Sequence, residues 1–104
     1  MKFSFAKSFC LTLFISTLMI ATPALAGDAA AGKSKSASCG ACHGPEGVSV
    51  NPMWPNLAGQ QEMYLAKQMK DFRDGNRKDP VMTPMAVSLS DEDIADLAAY
   101  YSGL

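Results

Sequence analysis

This 104-residue chain has little of several features that whole classes of proteins require. It contains one histidine, one tryptophan and three cysteines, and it has neither a run of like charges nor an excess of basic residues. Without a basic surface, nucleic-acid binding has no electrostatic footprint. The length leaves room for one domain, which excludes a large multidomain enzyme, and no repeat or low-complexity tract indicates a fibrous chain.

Large apolar side chains are also scarce once the N-terminal segment is set aside. The overall apolar fraction is 48%, but the excess lies in residues 1–26, and eleven of the apolar residues that follow are alanine. A domain of this size is marginal if it depends on such a small core alone. We therefore expect a disulfide, a metal, a cofactor or a partner to complete the interior.

The N-terminal segment has the pattern of a secretory signal peptide. Two lysines make its start positive, residues 9–20 form an uncharged and mostly apolar run, and Ala24-Leu25-Ala26 supplies small residues at its end. The run is shorter than the roughly 20 apolar residues of a transmembrane helix, although an uncleaved anchor is the alternative. We predict a cleaved signal peptide at 1–26 and a mature domain at 27–104, exported to a periplasm and not embedded in the membrane.

The mature chain is predicted to be all-α, with three to four helices, long loops and no strand. A first helix is capped by Asp28 and runs to about residue 38, just before the cysteines. Apolar spacing predicts a second helix at 60–74, and three acidic residues after Ser90 mark the start of the last helix. Residues 40–59 and 76–89 are predicted to be loops, and loops of this length in a small domain usually wrap around something.

The segment Cys39-Gly40-Ala41-Cys42-His43 is the most informative motif in the chain. The spacing C-x-x-C-H is the attachment signal for c-type haem. Two thiols at this spacing reach the two vinyl groups of one porphyrin, and the adjacent His43 is then held beneath the iron as its proximal ligand. A structural disulfide, a thioredoxin-like redox pair and a zinc site are the alternatives. The redox pair usually follows a strand, and the zinc site lacks a second pair of ligands.

Taken together, the motifs make the sequence similar to the class I c-type cytochromes, in particular the small monohaem proteins of the c4/c553 kind. The resemblance covers nearly the whole mature chain. It implies a small cytochrome c fold in which the N- and C-terminal helices cross, here with Gly32 against Tyr100, around one covalently bound haem. The segments that carry it are residues 39–47, 55–60, 64–65, 81–85 and 89–101.

The sixth ligand of the iron has to be chosen among five methionines, because there is no second histidine. Met63 and Met69 fall on a predicted helix and are expected to pack. Met53 lies in the loop after the haem motif, which is the wrong side in sequence for the ligand of the family that this chain resembles. The resemblance implies a Met-x-x-Met segment whose first methionine, Met82, binds the iron. Met85 is then expected to be a plain core residue. The alternatives are that Met85 is the ligand or that no methionine binds the iron.

The resemblance implies two further cofactor-binding residues. The carbonyl of Pro55 accepts a hydrogen bond from the proximal imidazole, which fixes the orientation of the ring, and Leu57 makes an apolar contact with the haem. Trp54 either packs on the porphyrin, donates to a propionate or fills the core. Arg77 or Lys78 either pairs with a propionate or remains solvated.

An iron held by His43 and Met82 has no open position, so we expect one-electron transfer in a respiratory or other redox chain and no enzymatic activity. The expected cofactor is one covalent haem c with its iron. The expected partners are a redox donor and acceptor, for example a quinol-oxidising complex and a terminal oxidase or reductase. A permanently bound dehydrogenase subunit, or a haem protein with a labile sixth ligand, is the alternative.

Overall fold

The computed structural model describes residues 26–104, and every regular element in this range is a helix. In chain order the helices are α1 (Ala29–Lys35), α2 (Ala37–His43), α3 (Glu62–Asp74), α4 (Met82–Ala86) and α5 (Asp91–Ser102). The predicted all-α class is confirmed. Apart from Ala26, the predicted signal peptide lies outside the described residues. None of the helices in the described range has the length and apolar character needed to cross a membrane.

The described range contains five helices, where three to four were predicted. The predicted first helix is interrupted at Ser36, whose hydroxyl donates to the carbonyl of Lys33 at 2.8 Å. A serine that bonds back to its own helix competes with the regular backbone pattern. The chain then forms α2, so the cysteines and His43 are helical and the prediction that the loop begins at residue 40 is wrong.

The second unpredicted helix is α4, which lies within the predicted loop 76–89. The Asp79 carboxylate accepts from the backbone N–H groups of Val81 and Met82, both at 2.8 Å, and so starts a helical turn. Pro84 is tolerated because it lies in the first turn, where a backbone N–H has no helical partner to lose.

Helices α1 and α5 cross at a glycine. A Cβ added to Gly32 would lie 2.0 Å from the backbone oxygen of Asp96 and 2.8 Å from the Cβ of Tyr100. Only a residue without a side chain permits this approach, so the expected contact between Gly32 and Tyr100 is confirmed.

A group of charged side chains fastens the same crossing. Asp96 is 4% exposed and accepts from the backbone N–H of Asp28 and from Lys35 Nζ, both at 2.7 Å. Lys35 also contacts Asp93 at 2.9 Å. The hydrogen bond from Lys35 lowers the pKa of Asp96 and lowers that of Asp93 to about 2. Both carboxylates are therefore ionised and paired at neutral pH.

The opposite side of α5 packs on α3. Ser90 and Asp93 form a capping box at the start of α5, as the acidic first turn predicts. The predicted apolar stripe of α5 is buried, and Leu97 and Tyr101 form the core with Leu65 of α3. Leu65, Leu97 and Tyr101 also line a cavity, so the core continues directly into the functional site.

Candidate functional site

A mainly apolar cavity of about 710 Å³ lies beside the core, and every helix contributes to its wall. The structure brings all of the predicted site residues to this one cavity. Its lining includes Cys39, Cys42, His43, Pro55, Leu57 and Met82.

His43 is the last residue of α2, and its side chain is 6% exposed. Its Nδ1 lies 2.7 Å from the carbonyl oxygen of Pro55. Because a carbonyl can only accept, this contact requires the proton on Nδ1 and leaves Nε2 with a lone pair. The expected hydrogen bond between imidazole and proline is present, and it orients a ring that can bind a metal through Nε2.

The loop that carries Pro55 is closed at its base. The carbonyl of Gly47 accepts from the backbone N–H groups of Leu57 and Ala58, at 2.8 and 3.0 Å. Gly47 has a φ of +75°, and a Cβ there would lie 2.9 Å from the Tyr101 ring. These contacts fix the position of Pro55 relative to α2 and α5.

Cys39 and Cys42 are free thiols one turn apart on α2, so both face the cavity. Burial raises the pKa of the Cys39 thiol. Tyr101 packs beside it with 2% of its surface exposed, and burial together with the neighbouring Cys39 raises the pKa of Tyr101 to about 12. Within residues 26–104, the Tyr101 hydroxyl is a buried polar group without a hydrogen-bond partner.

Helix α4 presents Met82, Met85 and Ala86 to the cavity, as expected for residues at i, i+3 and i+4. Met82 is half-buried, and Asp79 holds its backbone at the start of the helix. The same hydrogen bonds keep the pKa of Asp79 below its usual range. Met85 is 41% exposed, so the prediction of a plain core position for Met85 is wrong.

The other methionines divide between the cavity and solvent. Met69 packs against the core, as predicted, and also lines the cavity. Met63 is 87% exposed, so the prediction that it packs is wrong. Met53 is 82% exposed and lies at the edge of the cavity, next to Trp54.

Sequence reasoning missed several polar residues at the site, among them Gln68 and Asp79. Asp79 had a readable signal, since Asp-Pro commonly initiates a turn. Gln68 had none, because a glutamine in the middle of an amphipathic helix is normally a solvated residue. Its orientation depends on where Arg77 returns to α3, which no local pattern encodes.

The chain matches the family model for cytochrome c over residues 29–104. It belongs to the cytochrome c family. It is 58% identical over 79 residues to cytochrome c-554(548) of Halomonas halodenitrificans, covering 73% of this chain and 95% of that one. It is 57% identical over 76 residues to cytochrome c4 of Pseudomonas aeruginosa, covering 73% of this chain but 38% of the relative.

The structure is likewise similar to that of reduced recombinant cytochrome c4 from Pseudomonas stutzeri. The TM-score is 0.71 with 50% sequence identity, over 74% of this chain and 45% of the solved one. This cytochrome therefore spans less than half the length of the cytochrome c4 proteins that it matches, and nearly all of cytochrome c-554(548).

Cytochromes of this family bind haem c covalently and carry electrons, and this chain is a c-type cytochrome of that kind. The residues present fit the cofactor, because two free thiols and an oriented imidazole line one mainly apolar cavity. A zinc site has no support in the described part of the chain, where no three His, Cys, Asp or Glu side chains are grouped to hold a metal ion.

Proposed function

We propose that this cytochrome is a periplasmic one-electron carrier in which Cys39 and Cys42 attach the haem and His43 and Met82 bind its iron. One observation carries the proposal: the two thiols, the oriented imidazole and the Met82 side chain line a single cavity. The haem supplies a one-electron iron couple when it is bound. A donor on each face of the iron would leave no position for a substrate.

The protein residues keep the geometry of the site constant between the two redox states. Pro55 holds the His43 ring through a 2.7 Å hydrogen bond, and Asp79 holds the backbone of Met82. Leu57, Leu65 and Leu97 keep water away from the centre, which favours the less charged ferrous state. A rigid and dry site of this kind has little to rearrange when one electron arrives.

The proposed partners are redox proteins that dock where the cavity meets solvent. Trp54, Val81 and Met85 line the cavity, and Val87 at the end of α4 is 62% exposed without lining it. A small apolar contact area suits a short-lived encounter, as redox complexes generally form. We propose a quinol-oxidising complex or another dehydrogenase as the class of donor, and a terminal oxidase or reductase as the class of acceptor.

Export to the periplasm is part of the same proposal. Residues 1–26 have the composition of a signal peptide, and α1 begins three residues after the proposed cleavage site. Within the part of the chain that the structure describes, every residue that lines the cavity belongs to the proposed mature domain, 27–104. Attachment of haem to two free thiols also fits an exported protein, since both cysteines of the mature domain are then used.

Replacement of each α4 methionine by alanine tests the ligand assignment. Met82→Ala should abolish the weak near-red sulfur-to-iron charge-transfer band, lower the reduction potential and allow carbon monoxide to bind the reduced protein. Met85→Ala removes the same side chain one turn later and should leave all three properties nearly unchanged. Loss of the band in Met85→Ala alone would reverse the assignment, and retention of the band in both variants would exclude α4 as the source of the ligand.

A further inference from the structure

Two cationic side chains line the cavity, and they differ in whether a carboxylate neutralises them. Lys35 is neutralised, because its Nζ contacts Asp96 and Asp93 at 2.7 and 2.9 Å. Arg77 has no carboxylate within 4 Å among the residues that the structure describes. The nearby Asp79 also lines the cavity, but its Oδ1 already accepts two backbone N–H groups.

Arg77 is nevertheless held in a defined position. Its Nη1 donates to Gln68 Oε1 at 2.7 Å, and its guanidinium carbon lies 4.5 Å from the centre of the Phe72 ring. Its backbone N–H donates to the carbonyl of Asp71 at 2.9 Å. Gln68 and Phe72 also line the cavity, so two contacts to α3 hold the guanidinium at the cavity wall and a third holds the Arg77 backbone.

Arg73, the other arginine of the described chain, differs from Arg77 because it forms ion pairs with carboxylates. Arg73 bonds to Asp74 at 2.8 Å and to Asp91 at 2.7 Å, and it does not line the cavity. Arg77 therefore keeps most of its N–H donors free while it is fixed beside an apolar cavity. A guanidinium in this setting matches a carboxylate, which it can bind through two parallel hydrogen bonds.

We propose that Arg77 binds a propionate carboxylate of the haem and that Gln68 is its positioning residue. This inference rests on the proposed function, since the haem is the group that brings carboxylates to the cavity. It also selects between the two basic residues that the sequence offers, because Lys78 does not line the cavity. A fixed positive charge beside the haem disfavours the ferric state, so Arg77 raises the reduction potential.

Reduction potentials of the holoprotein and its variants test the proposal. Arg77→Gln should shift the equilibrium toward ferric protein by about tenfold, which is about 59 mV for a one-electron couple. Lys78→Gln removes the same charge from the next residue and should give a much smaller shift. Both variants are measured at about 1 M salt, where screening acts beyond about 3 Å, so that only a charge in direct contact with the haem still shifts the potential fully.

Two further variants test the positioning role and remain usable if Arg77→Gln loses its haem. Arg77→Lys keeps the charge but not the paired donors, and it should lower the potential less than Arg77→Gln does. Gln68→Leu should also lower the potential. If Gln68 acts only through Arg77, the double variant with Arg77→Gln should have the same potential as Arg77→Gln alone.

Equal shifts in Arg77→Gln and Lys78→Gln, or none in either, would overturn the propionate assignment. A Gln68→Leu effect that adds fully to that of Arg77→Gln would overturn the positioning role. These failures differ from a failure of the proposed function, in which the wild-type protein itself would lack covalent haem or the sulfur-to-iron band.

Discussion

The two sides of α5 are stabilised in different ways. On one side α1 crosses it at Gly32, where the two helices are in direct contact. The buried carboxylate of Asp96 is hydrogen-bonded there to the backbone of Asp28 and to Lys35. On the other side Leu97 and Tyr101 face a cavity of about 710 Å³, and the Tyr101 hydroxyl has no partner in the described residues. The first region is complete as protein, whereas the second depends on the haem for its interior.

Removal of the haem attachment should have the largest effect, because it empties the second region. We expect the double variant Cys39→Ala, Cys42→Ala to contain no covalent haem and not to fold, since the remaining apolar core is too small for the domain. Haem staining after denaturing electrophoresis and far-ultraviolet circular dichroism measure the two effects. Each single variant should give a sharply lower yield of holoprotein. A folded, helical and colourless double variant would contradict this view of the cavity.

A change at the helix crossing should disturb the first region and leave the second intact. In Gly32→Ala the new Cβ would lie 2.0 Å from a backbone oxygen of α5, so we expect a loss of about 3 kcal/mol in the free energy of unfolding. The absorption spectrum and the reduction potential should stay close to those of the wild type. Gly103→Ala is the control, because a Cβ there has no neighbour closer than 3.5 Å. If both variants are equally stable, the crossing does not need its glycine.

Removal of the Asp96 charge should have the smallest effect, and it should appear in how the melting temperature depends on pH below neutrality. The pKa values of Asp93 and Asp96 are lowered in the folded protein, that of Asp93 to about 2. Their stabilisation is therefore complete at neutral pH and is lost as the pH falls below the ordinary aspartate pKa of about 4 and through the lowered values of the folded state. Asp96→Asn should therefore lower the melting temperature at pH 7 and approach the wild type in acid. Other groups that titrate in this range are common to both proteins, so the difference between the two curves is the measurement. Parallel curves would show that the charge of Asp96 contributes nothing.

The sequence predicted the helix starts of the first region well, because their signals are local. The cap at Asp28 and the helix start at Ser90 each act within one helical turn. The approach of Gly32 to Tyr100 joins distant segments, and the similarity to known cytochromes supplied it. The break at Ser36 was missed, since a serine that bonds back to its helix has the same sequence as one that does not. That break decides whether the cysteines lie on a helix or in a loop.

The sequence was less informative about the second region, because the arrangement there depends on contacts between distant segments. The C-x-x-C-H motif identified the thiols and His43 from spacing alone, and the similarity to known cytochromes supplied Pro55, Leu57 and Met82. Helix α4 was missed because two prolines obscured a turn that the Asp79 side chain starts. The role of Gln68 depends on Arg77, nine residues away on a different segment, and no periodic pattern relates the two.

The closure at Gly47 has a consequence for how much this protein can vary in length. The N–H groups of Leu57 and Ala58 bond to the carbonyl of Gly47 and so close the loop just after Pro55. Pro55 is therefore positioned by this closure, and the outer part of the segment 48–54 does not determine where its carbonyl meets the imidazole of His43. Val50 lies within that segment and is 99% exposed, between Ser49 and Asn51, which are hydrogen-bonded to each other. Ser49 is also bonded to Asn56, next to Pro55. Extra residues inserted at Val50 would lengthen the loop outward and leave the bond to His43 in place as long as the Ser49–Asn56 bond is kept.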